Sequence, residues 1–179
     1  IYTDIFSSTI QQSDQLEALS NGALRKGIDR YMRQDYEGAV KEFRRSIGLA
    51  PNSAYSTDAS SYMANAYLAL GDTRGAVEAY EDALSRNPQR DDIAVSLGNV
   101  HFSAGDYDEA AKAYEKAVRA WPSSDNHYAL GQAYMNAGRY SDADQEFNTV
   151  LRKDPDQPSG NYGLGLNFSK QGRYEDAVL

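Results

Sequence analysis

Residues 105–122 read GDYDEAAKAYEKAVRAWP. Small and apolar side chains recur in this stretch at intervals of three and four residues, which places them on one face of a helix: Ala110, Tyr114, Ala117 and Val118. Asp106 and Glu109 stand where capping residues of a helix N-terminus are expected. The stretch therefore predicts an amphipathic helix over Tyr107 to Ala120.

The same pattern returns along the chain with a period of about 34 residues. Prolines follow the period at Pro51, Pro88, Pro122 and Pro155, and glycines follow it at Gly71, Gly105, Gly138 and Gly172. Each unit contains two apolar-periodic stretches separated by a short turn, which predicts a hairpin of two helices, here called helix A and helix B. Five units align, over residues 20–53, 57–90, 91–123, 124–157 and 158–179.

The side chains at fixed positions of the unit fit the packing of two helices. Small residues at positions 8 and 20 let the helix backbones approach closely: Gly27, Ala64, Gly98, Gly131 and Gly165, and Ala39, Ala76, Ala110, Ala143 and Ala177. Aromatic residues at position 24 fill the space beside them: Phe43, Tyr80, Tyr114 and Phe147. Glycine at position 15 ends helix A in a left-handed conformation, and proline at position 32 stops helix B.

This 34-residue pattern resembles the tetratricopeptide repeat family over residues 20–179. The resemblance implies an all-α fold, a right-handed superhelical solenoid of helix-turn-helix repeats. The tryptophan usual at position 4 is absent from every unit, and the first unit carries Gln34 where glycine is usual. Residues Ala54 to Ser56 read as a three-residue insertion that lengthens the first inter-repeat loop.

The two ends depart from the repeat pattern. We expect residues 1–19 to form a helical, docking or linker segment before the repeat domain of residues 20–179. Asp14 and Glu17 form a capping box, so helix A of the first unit is expected to begin near Gln15. The fifth unit stops a few residues into helix B, from which we expect the natural protein to continue, because a solenoid normally ends in a polar capping element.

Composition excludes several classes of function. The chain contains no cysteine, so disulfides and thiolate sites are absent, and only two histidines, His101 and His127, are available to a metal. The net charge of −8 disfavours nucleic acid as a partner. No membrane span, signal peptide or Gly-rich phosphate loop is visible. We therefore expect no enzyme activity, cofactor or metal site, and both the cytoplasm and the periplasm remain open as compartments.

The resemblance implies that helices A line a concave groove that binds a peptide. The residues at the groove-facing positions are the candidate site: Leu24, Ile28, Tyr31, Asn65, Leu68, Val95, Asn99, Phe102, Tyr128, Gln132, Met135 and Tyr162. Tyr31, Tyr128 and Tyr162 fill no core position of the repeat, and with Phe102 they would supply aromatic anchors. The alternative is that these rings pack between neighbouring A helices.

Two further patterns recur on helices A. Asn65, Asn99 and Gln132 share position 9, so their amides could bracket the peptide bonds of an extended ligand, or could merely occupy a solvated face. Asp58, Asp92 and Asp125 share position 2. They could offset the helix dipole, or they could form an acidic rim that favours a basic or neutral partner.

Three functions fit these observations. The first is a scaffold or adaptor that binds a peptide or partner protein in the groove. The second is self-assembly into a homo-oligomer through the chain ends, for which Ile5, Phe6 and Ile10 offer apolar surface. The third is the substrate-recruiting region of a larger enzyme, such as a glycosyltransferase.

Overall fold

The computed structural model describes residues 2–156 and 158–173, with side chains described from residue 9 onward. In this part of the chain the protein consists of nine α-helices without a strand: α1 (Tyr2–Met32), α2 (Tyr36–Leu49), α3 (Ala54–Ala69), α4 (Thr73–Arg86), α5 (Asp91–Ala104), α6 (Tyr107–Ala120), α7 (Ser124–Asn136), α8 (Tyr140–Lys153) and α9 (Pro158–Lys170). The fold is an all-α helical repeat solenoid, as the sequence predicts. Its right-handed superhelical path stays a prediction.

The chain divides into two compact units, residues 1–87 and 88–179, here called the N-terminal unit and the C-terminal unit. In the N-terminal unit α1 packs against α2 and α3, and each of the helices α2 to α4 packs against its neighbour. In the C-terminal unit each helix from α5 to α8 packs against the next, and α7 also packs against α9. Odd-numbered helices correspond to helix A of successive repeats and even-numbered helices to helix B.

The predicted contacts between small and aromatic residues build the cores. The alanines at position 20 are completely buried: Ala39, Ala76, Ala110 and Ala143. A Cβ added at Gly27 would lie 2.4 Å from Cε1 of Phe43, and one added at Gly131 would lie 2.7 Å from Cε1 of Phe147. Each ring therefore lies directly on the backbone of helix A, which explains why position 8 carries a small residue.

Helices A end in a left-handed residue, as predicted from the glycines at position 15. Gly71, Gly105, Gly138 and Gly172 all have positive φ. In the first repeat Gln34 takes this conformation with φ of 64°, and it is the only non-glycine residue with positive φ in the described chain. The turn geometry is thus kept where the sequence departs from glycine.

The capping predicted for helix B of the third repeat is partly wrong. The bounds of α6 agree with the prediction, and Asp106 is its N-cap residue, but its side chain makes no capping hydrogen bond. Glu109 instead pairs with Lys112 at 2.6 Å, which lowers the pKa of the Glu109 carboxyl. Helix B has a side-chain cap in the first two repeats, where Asp35 accepts from the N–H of Gly38 and Asp72 accepts from the N–H of Gly75.

The first helix corrects the expected start of helix A of the first unit. Helix α1 runs without interruption from Tyr2 to Met32, so the capping box of Asp14 and Glu17 lies inside a helix instead of starting one. Ser20 and Ser46, both fully buried, tie α1 to α2 by exchanging hydrogen bonds between each hydroxyl and the other residue's carbonyl at 2.9 Å.

The three inserted residues lie in a helix and not in a longer loop. Ala54 to Ser56 form the first turn of α3, which at 16 residues is longer than the other A helices of the second to fifth repeats. Ser56 and Ser53 both donate to the carbonyl of Ala50, which fixes the entry into this extra turn. The prediction for Ala177, and those for the side chains of Ile5 and Phe6, lie outside the described residues.

Candidate functional site

The side chains at positions 5, 9 and 12 of the A helices, here called the A-helix face, include all twelve residues of the predicted groove. In the C-terminal unit Val95, Phe102 and Tyr128 are half-buried and pack against the core. Asn99 is exposed, and Tyr162 on α9 keeps 61% of its surface in water. In this unit the A-helix face therefore has an apolar floor, and Asn99 and Tyr162 are among its side chains that are open to solvent.

The N-terminal unit presents a less aromatic surface. Ile28 and Tyr31 are half-buried and pack against the core cluster that contains Phe43. Leu68 on α3 is exposed, and Asn65 is half-buried.

Two of the predicted groove residues belong to the cores. Leu24 is 6% exposed and Met135 is 5% exposed, and each belongs to the buried cluster of its unit. Their burial corrects the expectation that they face a ligand. Positions 5 and 12 lie at the border between the face and the core, so whether such a side chain is exposed depends on the size of its neighbours.

Rings at position 12 pair with the first residue of helix B. Tyr31 contacts Tyr36 edge to face at 5.4 Å between ring centroids, and Phe102 contacts Tyr107 in the same way at 5.2 Å. The two pairs have the same five-residue spacing in the sequence, a signal that could have identified them. Tyr31 and Phe102 thus pack within their own repeats, and they also form part of the A-helix face.

The amides at position 9 make contacts that the sequence analysis missed. The hydroxyl of Tyr80 donates to Oδ1 of Asn65 at 2.5 Å, and the hydroxyl of Tyr114 donates to Oδ1 of Asn99 at 2.7 Å. Both tyrosines occupy position 24, fifteen residues after the asparagine. Gln132 differs, because its Nε2 donates to the hydroxyl of Tyr128 at 3.2 Å on the same helix.

Tyrosines occupy position 5 of the last two A helices, Tyr128 on α7 and Tyr162 on α9. Burial raises the pKa of Tyr128, and the nearby hydroxyl of Tyr162 raises it further. Tyr128 also contacts Phe147 at 5.7 Å between centroids. Tyr128 is thus anchored on the core, while Tyr162 on the next A helix is exposed to solvent.

The negative charge of the predicted acidic rim, Asp58, Asp92 and Asp125, is partly balanced by an arginine. Arg90 binds Asp92 with two hydrogen bonds of 2.8 and 2.9 Å and lowers the pKa of that carboxyl. Asp58 is half-buried and Asp125 is exposed. The charge of Asp92 is therefore balanced within the unit, which reduces the acidity of the rim at that point.

The two histidines lie apart and face different groups. His127 Nδ1 lies 2.6 Å from Oε2 of Glu146, which joins α7 to α8, whereas His101 is half-buried on α5. Among the described residues no group of three or more His, Asp or Glu could hold a metal ion. In the same part of the chain no helix combines the length and the apolar character that crossing a membrane needs.

Comparisons with known proteins agree on the repeat. Two family models, each described as tetratricopeptide repeat, match residues 63–125 and 101–162. A comparison with curated proteins finds no match in sequence.

Solved structures resemble the fold. A MamA protein superimposes with a TM-score of 0.74 at 18% identity, over 89% of this chain and 86% of that one. MamA from Desulfovibrio magneticus gives 0.71 at 19% identity, over 89% of each chain. A tetratricopeptide repeat protein from Parabacteroides merdae gives 0.77 at 17% identity, over 89% of this chain and 63% of that one. At these identities the likeness concerns the fold.

Proposed function

We propose that this chain, which belongs to the tetratricopeptide repeat family, is a non-catalytic scaffold whose A-helix face binds an extended peptide or a segment of a partner protein. The observation that carries the proposal is the exposed ring of Tyr162, at the same repeat position as the anchored ring of Tyr128 on the preceding A helix. The repeat does not need an aromatic residue at this position, and tyrosine is among the residue types that dominate binding hot spots.

Other residues of the A-helix face in the same unit also suit a peptide. Half-buried Val95 and Phe102 offer an apolar floor on α5, and exposed Asn99 offers hydrogen bonding beside it. A rigid ring on a helix loses little conformational entropy on binding, which favours affinity. The net charge of −8 favours a basic or neutral partner over an acidic one.

Selection of random linear peptides on the folded chain tests the proposal. Tyr162→Ala should weaken binding of the selected peptides by about tenfold or more, because a central aromatic anchor contributes on the order of 2 kcal/mol. Trp121→Ala is the matched control: Trp121 is 65% exposed, but it lies at the C-cap of α6, in a loop between repeats. Equal losses in both variants, or no enriched peptide, would refute the proposal.

A second candidate function is self-association through residues 10–19 of α1. Three large apolar side chains there are exposed: Ile10 at 51%, Leu16 at 39% and Leu19 at 54%. Leu16 and Leu19 lie on the same side of the helix, and contact with a second copy would remove their surface from water. Sedimentation over a range of concentrations tests the idea, with Leu19→Lys expected to shift a dimer to monomer. A wild-type chain that stays monomeric throughout would exclude it.

A further inference from the structure

We propose that one side of α1 is a second interaction surface, which binds an acidic helix of a partner protein. This surface, here called the outer face of α1, consists of Gly22, Lys26 and Asp29, with Arg25 at its edge. The partner helix would lie on α1 as helix B of one repeat lies on helix A of the next. The outer face lies opposite to Leu24 and Tyr31 on the helix, so the inference goes beyond the proposed function and does not rest on it.

The equivalent face of later A helices is covered by the preceding helix B. It is formed by positions 3, 7 and 10 of the repeat. In α7, which packs against α6, and in α9, which packs against α8, all the residues at these positions are buried: Asn126, Leu130 and Ala133, and Gly160, Leu164 and Asn167. Position 11 contributes a hydrogen bond to the same neighbour, because Tyr134 on α7 donates to Glu115 on α6 at 2.7 Å.

Two glycines at position 3 show that α1 differs. A Cβ added at Gly160 would lie 2.7 Å from Cδ2 of Leu151 on α8, whereas nothing lies within 4 Å of a Cβ added at Gly22. Lys26 and Asp29, at positions 7 and 10, are exposed as well. The face that accepts a helix in later repeats is therefore open on α1.

The charge of this open face favours an acidic occupant. Asp29 pairs with Arg33 at 3.0 Å, but Arg25 and Lys26 make no hydrogen bond or ion pair with the described residues. Residues 20–53 contain seven Lys and Arg against four Asp and Glu, although the whole chain has a net charge of −8. The carboxylates of a partner would complement the two unpaired cations.

The shape of the face favours a helix over a nucleic acid. At Gly22 no side chain covers the backbone of α1, so a second helix can approach closely, and Leu19 one turn earlier is 54% exposed and adds apolar surface. Two unpaired cations are few for a phosphate backbone, since salt-dependent binding to DNA typically uses contacts to on the order of 6–10 phosphates.

The test selects helices on the folded chain of 179 residues. An mRNA-display library of 14-residue sequences, the length of α6, keeps the apolar residues of that helix and varies its other positions. Sequences that also bind Lys26→Glu are removed, so that the survivors need the outer face. We expect the survivors to carry an excess of Asp and Glu, and to bind Lys26→Glu at least about tenfold more weakly than the wild type.

A matched variant controls for the change of charge. Lys116 on α6 is exposed and makes no hydrogen bond or ion pair with the described residues. Lys116→Glu therefore makes the same charge reversal in the other unit, and it should change the affinity by less than about twofold. Raising the ionic strength to about 1 M, where the Debye length is about 3 Å, should weaken binding to the wild type.

A bulky residue tests where the helix docks. Gly22→Trp should fold, because a Cβ at this position meets nothing within 4 Å, but its ring would occupy the space of the docked helix. Affinity should fall by about tenfold. Mapping of backbone amide chemical shifts in the wild type should show changes at Gly22, Lys26 and Asp29 and none at Asn99 on the A-helix face.

Several outcomes would overturn the inference. These are the absence of any surviving sequence, survivors without an acidic excess, equal losses in Lys26→Glu and Lys116→Glu, and shift changes confined to the A-helix face. Sedimentation that shows a wild-type dimer, lost in Lys26→Glu, would mean that a second copy occupies the outer face instead of an acidic helix. None of these results bears on the proposed function, which is tested at Tyr162.

Discussion

Gly98 lies directly against the ring of Tyr114: a Cβ added at residue 98 would lie 2.4 Å from Cε1 of that ring. The ring is buried in the C-terminal unit and cannot move aside freely. The contact between these two residues fixes how closely helix A and helix B of the third repeat approach.

Gly98→Ala should therefore lower the free energy of unfolding by about 1–3 kcal/mol through overpacking, in spite of the better helix propensity of alanine. Gly22→Ala is the control, because nothing lies within 4 Å of a Cβ at this site in α1. That substitution should raise stability by about 0.5–1 kcal/mol. Urea unfolding followed by far-UV circular dichroism measures both, and effects of the same sign would contradict the prediction.

Gln34→Gly should stabilise the first repeat by about 1 kcal/mol or less. Gln34 has φ of 64°, which costs a side chain with a Cβ about 1–2 kcal/mol, and the larger entropy of glycine in the unfolded chain offsets part of the gain. The reverse change at the matching turn, Gly105→Ala, should be destabilising, since Gly105 has φ of 85°. Thermal unfolding of the two variants checks the signs.

Asp72→Ala should cost about 1 kcal/mol of stability, because the Asp72 carboxylate accepts from the N–H of Gly75 at 2.8 Å. Asp106→Ala, at the equivalent position of the next repeat, should cost clearly less, since the Asp106 side chain makes no such bond. Chemical denaturation at neutral pH compares the pair. A larger loss at Asp106 would show that the two caps have been assigned the wrong way round.

Alkaline pH should destabilise the wild type more than Tyr114→Phe. The pKa of Tyr114 rises from 10.0 when unfolded to about 12 when folded, because burial disfavours the phenolate. A raised pKa contributes stability that is complete below pH 10 and is lost as pH rises towards 12.

The variant should therefore lose less unfolding free energy than the wild type between pH 10 and 12, by on the order of 1–3 kcal/mol. Tyr162→Phe, at an exposed position, controls for the removal of one phenol. If unfolding free energy falls with pH equally in the wild type and in Tyr114→Phe, the raised pKa of Tyr114 is refuted.

The repeat itself could be predicted from the sequence because its packing depends on residues within one unit. The missing side chain at Gly98 and the ring of Tyr114 specify one contact between two helices that are close in sequence. The bounds of α6 follow from the same local pattern. These features need no knowledge of the neighbouring repeats.

Features that depend on neighbouring segments or on surrounding side chains were harder to predict from the sequence. Asp14 and Glu17 carry a local start signal, but the preceding residues are helical as well, so the signal lies inside α1. The burial of Leu24 and Met135 depends on the surrounding side chains. The hydrogen bond from Tyr114 to Asn99 joins helix B to helix A, and the two residues lie fifteen apart in the sequence. Only a paired comparison of repeat positions 9 and 24 would have indicated it.

The exposure of Trp121 has a consequence for spectroscopy. The chain contains a single tryptophan, and 65% of its surface is already in water when the protein is folded. Its indole emission should consequently resemble that of a hydrated fluorophore and change little in wavelength on denaturation. The same property makes Trp121 a convenient reporter of events at the loop between the third and fourth repeats, where a quencher or a docked molecule would alter its signal without any change in the helices.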